Sequence, residues 1–111
     1  MASEDVVSCN GEWLPLGKAQ VPVFAPALLH AFGVYESIQV IGGVPFHLTA
    51  HLRRLERSAR FIELPLPAPL AKMATWVRAF LAQQPHGDHL LRIVVTGPSE
   101  VEGSLCWLRM E

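Results

Sequence analysis

The chain is poor in charge, in cysteine and in lysine, and each shortage narrows what it can be. Asp, Glu, Lys and Arg together make up 17% of its 111 residues, and the net charge is −1. A globular domain averages about a quarter charged. Without a basic excess there are few counterions to displace, which argues against nucleic acid as the main partner. Two cysteines, Cys9 and Cys106, are too few for a disulfide framework or a metal ligand set and read as reduced thiols. His30, His47, His86 and His89 show no metal-ligand spacing, so no metal site is expected. No apolar run approaches the ~20 residues of a membrane span. The opening MASEDVV lacks the basic and apolar regions of a signal peptide. A soluble, cytoplasmic protein with no membrane partner is expected. There is also no GxSxG, no phosphate-cradling glycine fingerprint and no Cys/His nucleophile pair.

What the chain has instead is apolar surface and well-marked turns. It is 50% hydrophobic, and its length allows one domain with a modest core. Small domains have a high surface-to-volume ratio, so this excess predicts that part of the surface is covered by something else. Asn10-Gly11 between two apolar runs predicts a first β-hairpin, because a type I′ turn needs positive φ at both central residues. An irregular connector follows over residues 17–26, with Val21 and Val23 read as a brief strand interrupted by Pro22.

Residues 34–41 alternate. Val34, Glu36, Ile38 and Val40 point one way, and Tyr35, Ser37, Gln39 and Ile41 point the other. Gly42-Gly43 turns the chain into a short returning strand. Thr49 is placed to cap the helix that follows, whose buried stripe is Leu48, Leu52, Leu55, Ala59 and Ile62. LPLPAP is a rigid link. A second helix spans residues 69–84, with Pro69 in its first turn and Leu70, Met73, Val77 and Phe80 or Leu81 inward. Strands over 90–96 and 104–110 close the chain, joined by a loop over 97–103. The class is α+β, an antiparallel sheet with two helices packed on one face.

Several polar residues stand out on this scaffold. His51, Arg54 and Ser58 share one shoulder of the first helix, beside its buried stripe, while Arg53 and Arg57 point to solvent. A semi-buried Arg54 so flanked is either a phosphate or carboxylate clamp or the partner of an acidic neighbour. Glu36, on the aliphatic face of its strand, needs a partner, a raised pKa or a place at the sheet edge. Tyr35 either lines a ligand cleft with Ser37 and Gln39 or is structural. Arg92, inside LLRIVVT, faces either a polar cleft or an exposed edge.

The run GVYESIQVIGGVPFHLTAHLRRLERSA, residues 33–59, resembles the segment of class IV aminotransferases that reads G-V-[FY]-E, a short turn, then H-x-x-R-L-x-x-S-A. CNGEW resembles the first hairpin of that family and LLRIVVTG a later strand, so the resemblance spans nearly the whole chain. These are fold type IV pyridoxal-phosphate enzymes, among them branched-chain and D-amino-acid aminotransferases and aminodeoxychorismate lyase. The resemblance implies that residues 1–111 are the N-terminal small domain of such an enzyme, moving an amino group between an amino acid and a 2-oxo acid. It implies pyridoxal 5′-phosphate as cofactor, with Arg54 on its phosphate, Tyr35 and Arg92 against the substrate, and Glu36, His51 and Gln39 supporting the site. It further implies a homodimer. The lysine that forms the Schiff base belongs in this family to a C-terminal domain, and neither Lys18 nor Lys72 resembles it. No transaminase activity is therefore expected of these 111 residues alone.

The chain departs from the family's pattern in three places. His30-Ala31-Phe32-Gly33 stands where many members have Gly-Asp-Gly, Gln39 replaces a usual Arg or Lys, and GPSEVEGS lacks the Arg-x-His carboxylate trap of D-amino-acid aminotransferases. The last argues against D-amino acids. The alternatives are a lyase on the same scaffold, such as aminodeoxychorismate lyase, and a non-catalytic domain that binds a ligand or a protein.

Overall fold

Asn10 and Gly11 both adopt positive φ, 49° and 86°, as a two-residue hairpin turn of type I′ demands. They join β1 (Val6–Cys9) to β2 (Glu12–Pro15). Gly11 tolerates no side chain, since a Cβ there would come within 2.6 Å of the Trp76 indole nitrogen. The Asn10 side chain then hooks the hairpin onto the far end of the chain. Its Oδ1 accepts from the Cys106 N–H at 2.7 Å, and its Nδ2 donates to the Ser104 carbonyl at 3.3 Å. The computed structural model describes residues 5–98 and 103–111. Residues 1–4, where the reading of the N-terminus as lacking a signal peptide falls, and 99–102, in the loop said to lack the carboxylate trap, lie outside the described residues.

After β2 come a 3-10 turn, Leu16–Lys18, and a one-turn helix α1 (Pro26–Leu29). The brief strand expected at Val21 and Val23 does not form; both residues are exposed and outside the sheet. Pro22 between them has no N–H to give a ladder and fixes its own φ. Strand β3 (Gly33–Ile41) turns at Gly42 and Gly43, both at positive φ, into the two-residue β4 (Val44–Pro45).

The first long helix, α2 (Leu48–Phe61), starts directly after His47, which takes a left-handed conformation with φ 56° and ψ 44°. The cap expected from Thr49 is therefore absent. Thr49 already lies inside the helix, past the position from which a side chain caps. Leu48, Leu52, Leu55 and Ala59 form the buried stripe, but Ile62 follows the last turn and is 36% exposed. The second long helix, α3 (Leu70–Ala82), has Pro69 just before it rather than in its first turn, with an extended ψ of 153°. It buries Met73, Val77, Phe80 and Leu81, while Leu70 is only half-buried. β5 (His89–Thr96) and β6 (Leu105–Met110) complete the sheet.

The strand order is β2-β1-β6-β5-β3-β4, and every pair is antiparallel. Both long helices lie on one face, over Ile38, Val40, Leu91, Ile93, Val95, Cys106 and Leu108. This is the α+β architecture expected from the sequence. Alternation places Tyr35, Gln39, Arg92, Val94, Thr96 and Trp107 on the opposite face, which no described helix covers. Among the described residues, β3 has β5 on one side throughout and β4 on the other only at Val40 and Ile41. Most of β3 is thus an open edge.

Candidate functional site

Glu36 is the buried charge at the centre of the chemistry. β3 aims its carboxylate inward with Ile38 and Val40, and only 6% of its side chain is exposed. A lone carboxylate there would be costly. Two residues of α2 take it up. Arg54 presents the side of its guanidinium, Nε at 2.9 Å from Oε2 and Nη2 at 2.9 Å from Oε1. His51 Nδ1 lies 2.7 Å from Oε1 and donates to it. Residues at i and i+3 of a helix share a face, so one helix delivers both partners to one strand position. Burial raises the Glu36 pKa, but the hydrogen bonds and charges of Arg54 and His51 outweigh it and hold Glu36 below its ordinary value. Of the alternatives open for Glu36 in the sequence, the structure has the partnered carboxylate. Glu36 also raises the Arg54 pKa, through its hydrogen bonds and its charge.

Arg54 is less buried than its sequence position suggests, with 61% of its side chain exposed. The pairing with an acidic neighbour is present, yet it uses only one side of the guanidinium. Nη1 makes no hydrogen bond among the described residues. Arg54 also lines an open groove of about 440 Å³, with Ala31, Gly33, Val34, Arg57, Ser58, Phe61 and Ile62. Arg57 was expected to point away to solvent. It is exposed, as expected, and it also lines the same groove, because i, i+3 and i+4 neighbours bring Arg54, Arg57 and Ser58 to one flank. The groove has two guanidinium groups, a hydroxyl and no carboxylate in its wall. That donor set fits a phosphate. His51 is committed to Glu36 and does not line the groove.

The other sequence-derived candidates lie on the opposite face of the sheet. Tyr35 and Arg92 are brought together, with the Arg92 guanidinium carbon 5.9 Å from the centre of the Tyr35 ring. Arg92 is on an interior strand and half-buried, so the exposed-edge alternative does not apply. Nor does it face a polar cleft: its groove, about 280 Å³, has a mostly apolar wall of Val7, Leu16, Ala19, Val21, Val94, Thr96, Trp107 and Leu108, with Arg109 and Glu111 at hand. Trp107 Nε1 donates to Thr96 Oγ1 at 3.0 Å, which fixes the indole in that wall. Arg92 Nη2 donates to Glu111 Oε2 at 3.1 Å, a contact the sequence reading missed because nothing in residue spacing links β5 to the residue after β6. Gln39 is exposed on this face and pairs by its backbone with Leu90, with no side-chain hydrogen bond shown. Tyr35 and Glu36 are sequence neighbours pointing to opposite faces, so the two clusters stand back to back at β3.

Among the described residues no group of three or more His, Cys, Asp or Glu could hold a metal ion, and no helix is long and apolar enough to cross a membrane. Lys18 and Lys72 are both exposed and line neither groove.

Comparison with known proteins follows the same stretch. A 34% identical match over 87 residues links the chain to a protein of Methanocaldococcus jannaschii provisionally named a branched-chain-amino-acid aminotransferase; it covers 78% of this chain and 30% of that protein. Among solved structures, the branched-chain aminotransferase of Thermoproteus uzoniensis superposes with a TM-score of 0.85 at 24% identity, over 98% of this chain and 41% of the other. The Escherichia coli branched-chain amino acid aminotransferase gives 0.84 at 19%, over 98% and 41%. A T.th. branched-chain amino acid aminotransferase with pyridoxamine 5′-phosphate gives 0.84 at 16%, over 99% and 41%. At these identities the structures establish the fold, and the chain spans under half the length of each protein it matches. Residues 33–106, which hold β3, α2, β5 and the Tyr35, Glu36, His51, Arg54 and Arg92 side chains, match the family described as amino-transferase class IV. By that match the chain belongs to the class IV aminotransferase family.

Proposed function

We propose that this chain is the N-terminal small domain of a pyridoxal-phosphate-dependent aminotransferase, holding the cofactor phosphate and one wall of the substrate pocket. The observation that carries the reading is Arg54. It is braced on one side by a buried, ionised Glu36 and lines a groove whose wall contains no acid. Bound pyridoxal phosphate supplies the electron sink for exchange of the amino group. This chain's residues supply position. Arg54 would hold the phosphate and Ser58 would add a hydroxyl donor, while Glu36 with His51 keeps the guanidinium from rotating away.

On the opposite face of the sheet, Tyr35 on β3 and Arg92 on the neighbouring β5 form the pocket wall. Tyr35 lends a ring face, and Arg92 lends a planar fork for a carboxylate. The lysine that carries the covalent chemistry comes from a C-terminal domain of the same protein, since neither lysine here lines a groove. That domain and a second subunit account for apolar side chains left in the open, such as Phe24 at 81% and Phe61 at 90% exposure. The substrates are an amino acid and a 2-oxo acid.

Arg54→Ala in the complete protein tests the reading. Loss of a charge-assisted contact to the phosphate weakens pyridoxal-phosphate binding about 10- to 100-fold. Preference among amino donors changes far less. Unchanged cofactor affinity in a fluorescence titration removes the assignment.

A further inference from the structure

The Arg92 groove contains its own counter-ion. Glu111 is fixed beyond the end of β6 by a reciprocal backbone pair with Leu90, N–H to carbonyl at 3.1 and 2.8 Å. That pairing continues the β5–β6 register, in which Arg92 stands directly opposite Arg109. Glu111 is therefore diagonal to Arg92 on the same face, within reach of a long side chain. The two side chains meet at 3.1 Å, each a little over one-third exposed. Arg92 Nε is buried and has no hydrogen-bond partner among the described residues. The rest of the groove wall is largely apolar. Directly opposed like charges repel across a sheet, so Glu111 also offsets the Arg92–Arg109 repulsion.

We propose that Glu111 sets the substrate preference of the Arg92 groove. It occupies the guanidinium as an internal counter-ion, so an uncharged, apolar substrate side chain enters freely, and a second carboxylate enters only by displacing Glu111. The inference rests on the reading of Arg92 as a substrate contact and adds to it a residue that selects between monocarboxylate and dicarboxylate substrates. Arg92 supplies the affinity for a side-chain carboxylate, and Glu111 competes with that carboxylate for the same nitrogens.

The test is equilibrium binding to the complete protein by calorimetry, with glutarate as the dicarboxylate probe and 4-methylpentanoate as the apolar monocarboxylate. A partly exposed ion pair contributes at most about 1 kcal/mol, so Glu111→Gln tightens glutarate binding about threefold to fivefold. The dissociation constant of 4-methylpentanoate stays within about twofold, because that probe makes no demand on the ion pair. Glu111→Ala shifts the ratio in the same direction and serves if the glutamine variant does not fold. A lost repulsion shield alone would lower stability and leave the ratio of the two constants untouched; an unchanged ratio in the folded variants overturns the proposal. Arg92→Gln separates the two readings. If it weakens glutarate while Glu111→Gln moves nothing, the role of Glu111 falls and that of Arg92 stands. If Arg92→Gln leaves glutarate binding unchanged, the assignment of Arg92 falls and this inference with it.

Discussion

Replacing Glu36 by glutamine sets two opposite effects against each other, and the geometry decides between them. The carboxylate holds Arg54 through Nε and Nη2 at 2.9 Å each, and His51 at 2.7 Å. A glutamine amide has one oxygen and one NH₂ group, so it cannot accept from Arg54 on both sides while also facing His51. Arg54 then regains rotamer freedom that ligand binding must remove again, a factor of up to about 10–30 in affinity for a long side chain. Against this, removing a negative charge behind the guanidinium relieves repulsion toward a bound phosphate. At a separation of about 7 Å in solvent-like surroundings that relief is about threefold in affinity, before salt screening.

Orientation outweighs charge, and Glu36→Gln in the complete protein is expected to weaken pyridoxal-phosphate binding roughly fivefold. The sharper measurement is a double-mutant cycle read by fluorescence titration. With Arg54 gone there is no guanidinium left to brace, so Glu36→Gln on top of Arg54→Ala should cost nothing further and, through the relieved repulsion, tighten binding by at most about threefold. Additive losses, or tighter binding in the single Glu36 variant, would show that Glu36 does not serve as a brace.

The same carboxylate gives a pH signature. Its native pKa lies below the ordinary 4.5, so the native state binds that proton less readily than the unfolded chain. Its stabilisation is full above the ordinary carboxylate range and is lost as pH falls from about 4.5 through the lowered native value. Thermal melts followed by circular dichroism should show that acid limb shrink in Glu36→Gln. Leu55, fully buried at the centre of the α2 stripe, offers a packing test. Leu55→Ala should destabilise by about 2–5 kcal/mol in denaturant unfolding, and a loss below about 1 kcal/mol would mean the helix–sheet core is not packed as described.

Much of the fold is legible in the sequence because its determinants are local. Asn10-Gly11 and Gly42-Gly43 fix turns through positive φ, and the alternation over residues 34–41 assigns each side chain to the face it occupies. The misreadings cluster where neighbouring structure overrides a local preference. Thr49 is a good capping residue, but the chain reverses so tightly after β4 that His47 takes the position before the helix. Val21 and Val23 favour strand, and Pro22 denies them a ladder. Arg57, read as solvent-facing from its spacing, is exposed; what the spacing missed is that the open groove between α2 and the start of β3 includes it.

Residue order alone settles most of the elements, the face on which most residues lie and, through G-V-Y-E followed by H-x-x-R-L-x-x-S-A, the resemblance to the family. Periodicity and turn chemistry act over a few residues, and those are written in the chain. Pairings between strands and helices arise only on folding. Glu36 meets Arg54 across 18 positions and Arg92 meets Glu111 across 19, contacts that exist only once α2 is laid on β3 and β6 is set in register with β5. Spacing made Arg54 either an anion clamp or the partner of an acid. In the folded chain the acid takes one side of the guanidinium, so the pairing is present, and Arg54→Ala is the measurement that tests the clamp.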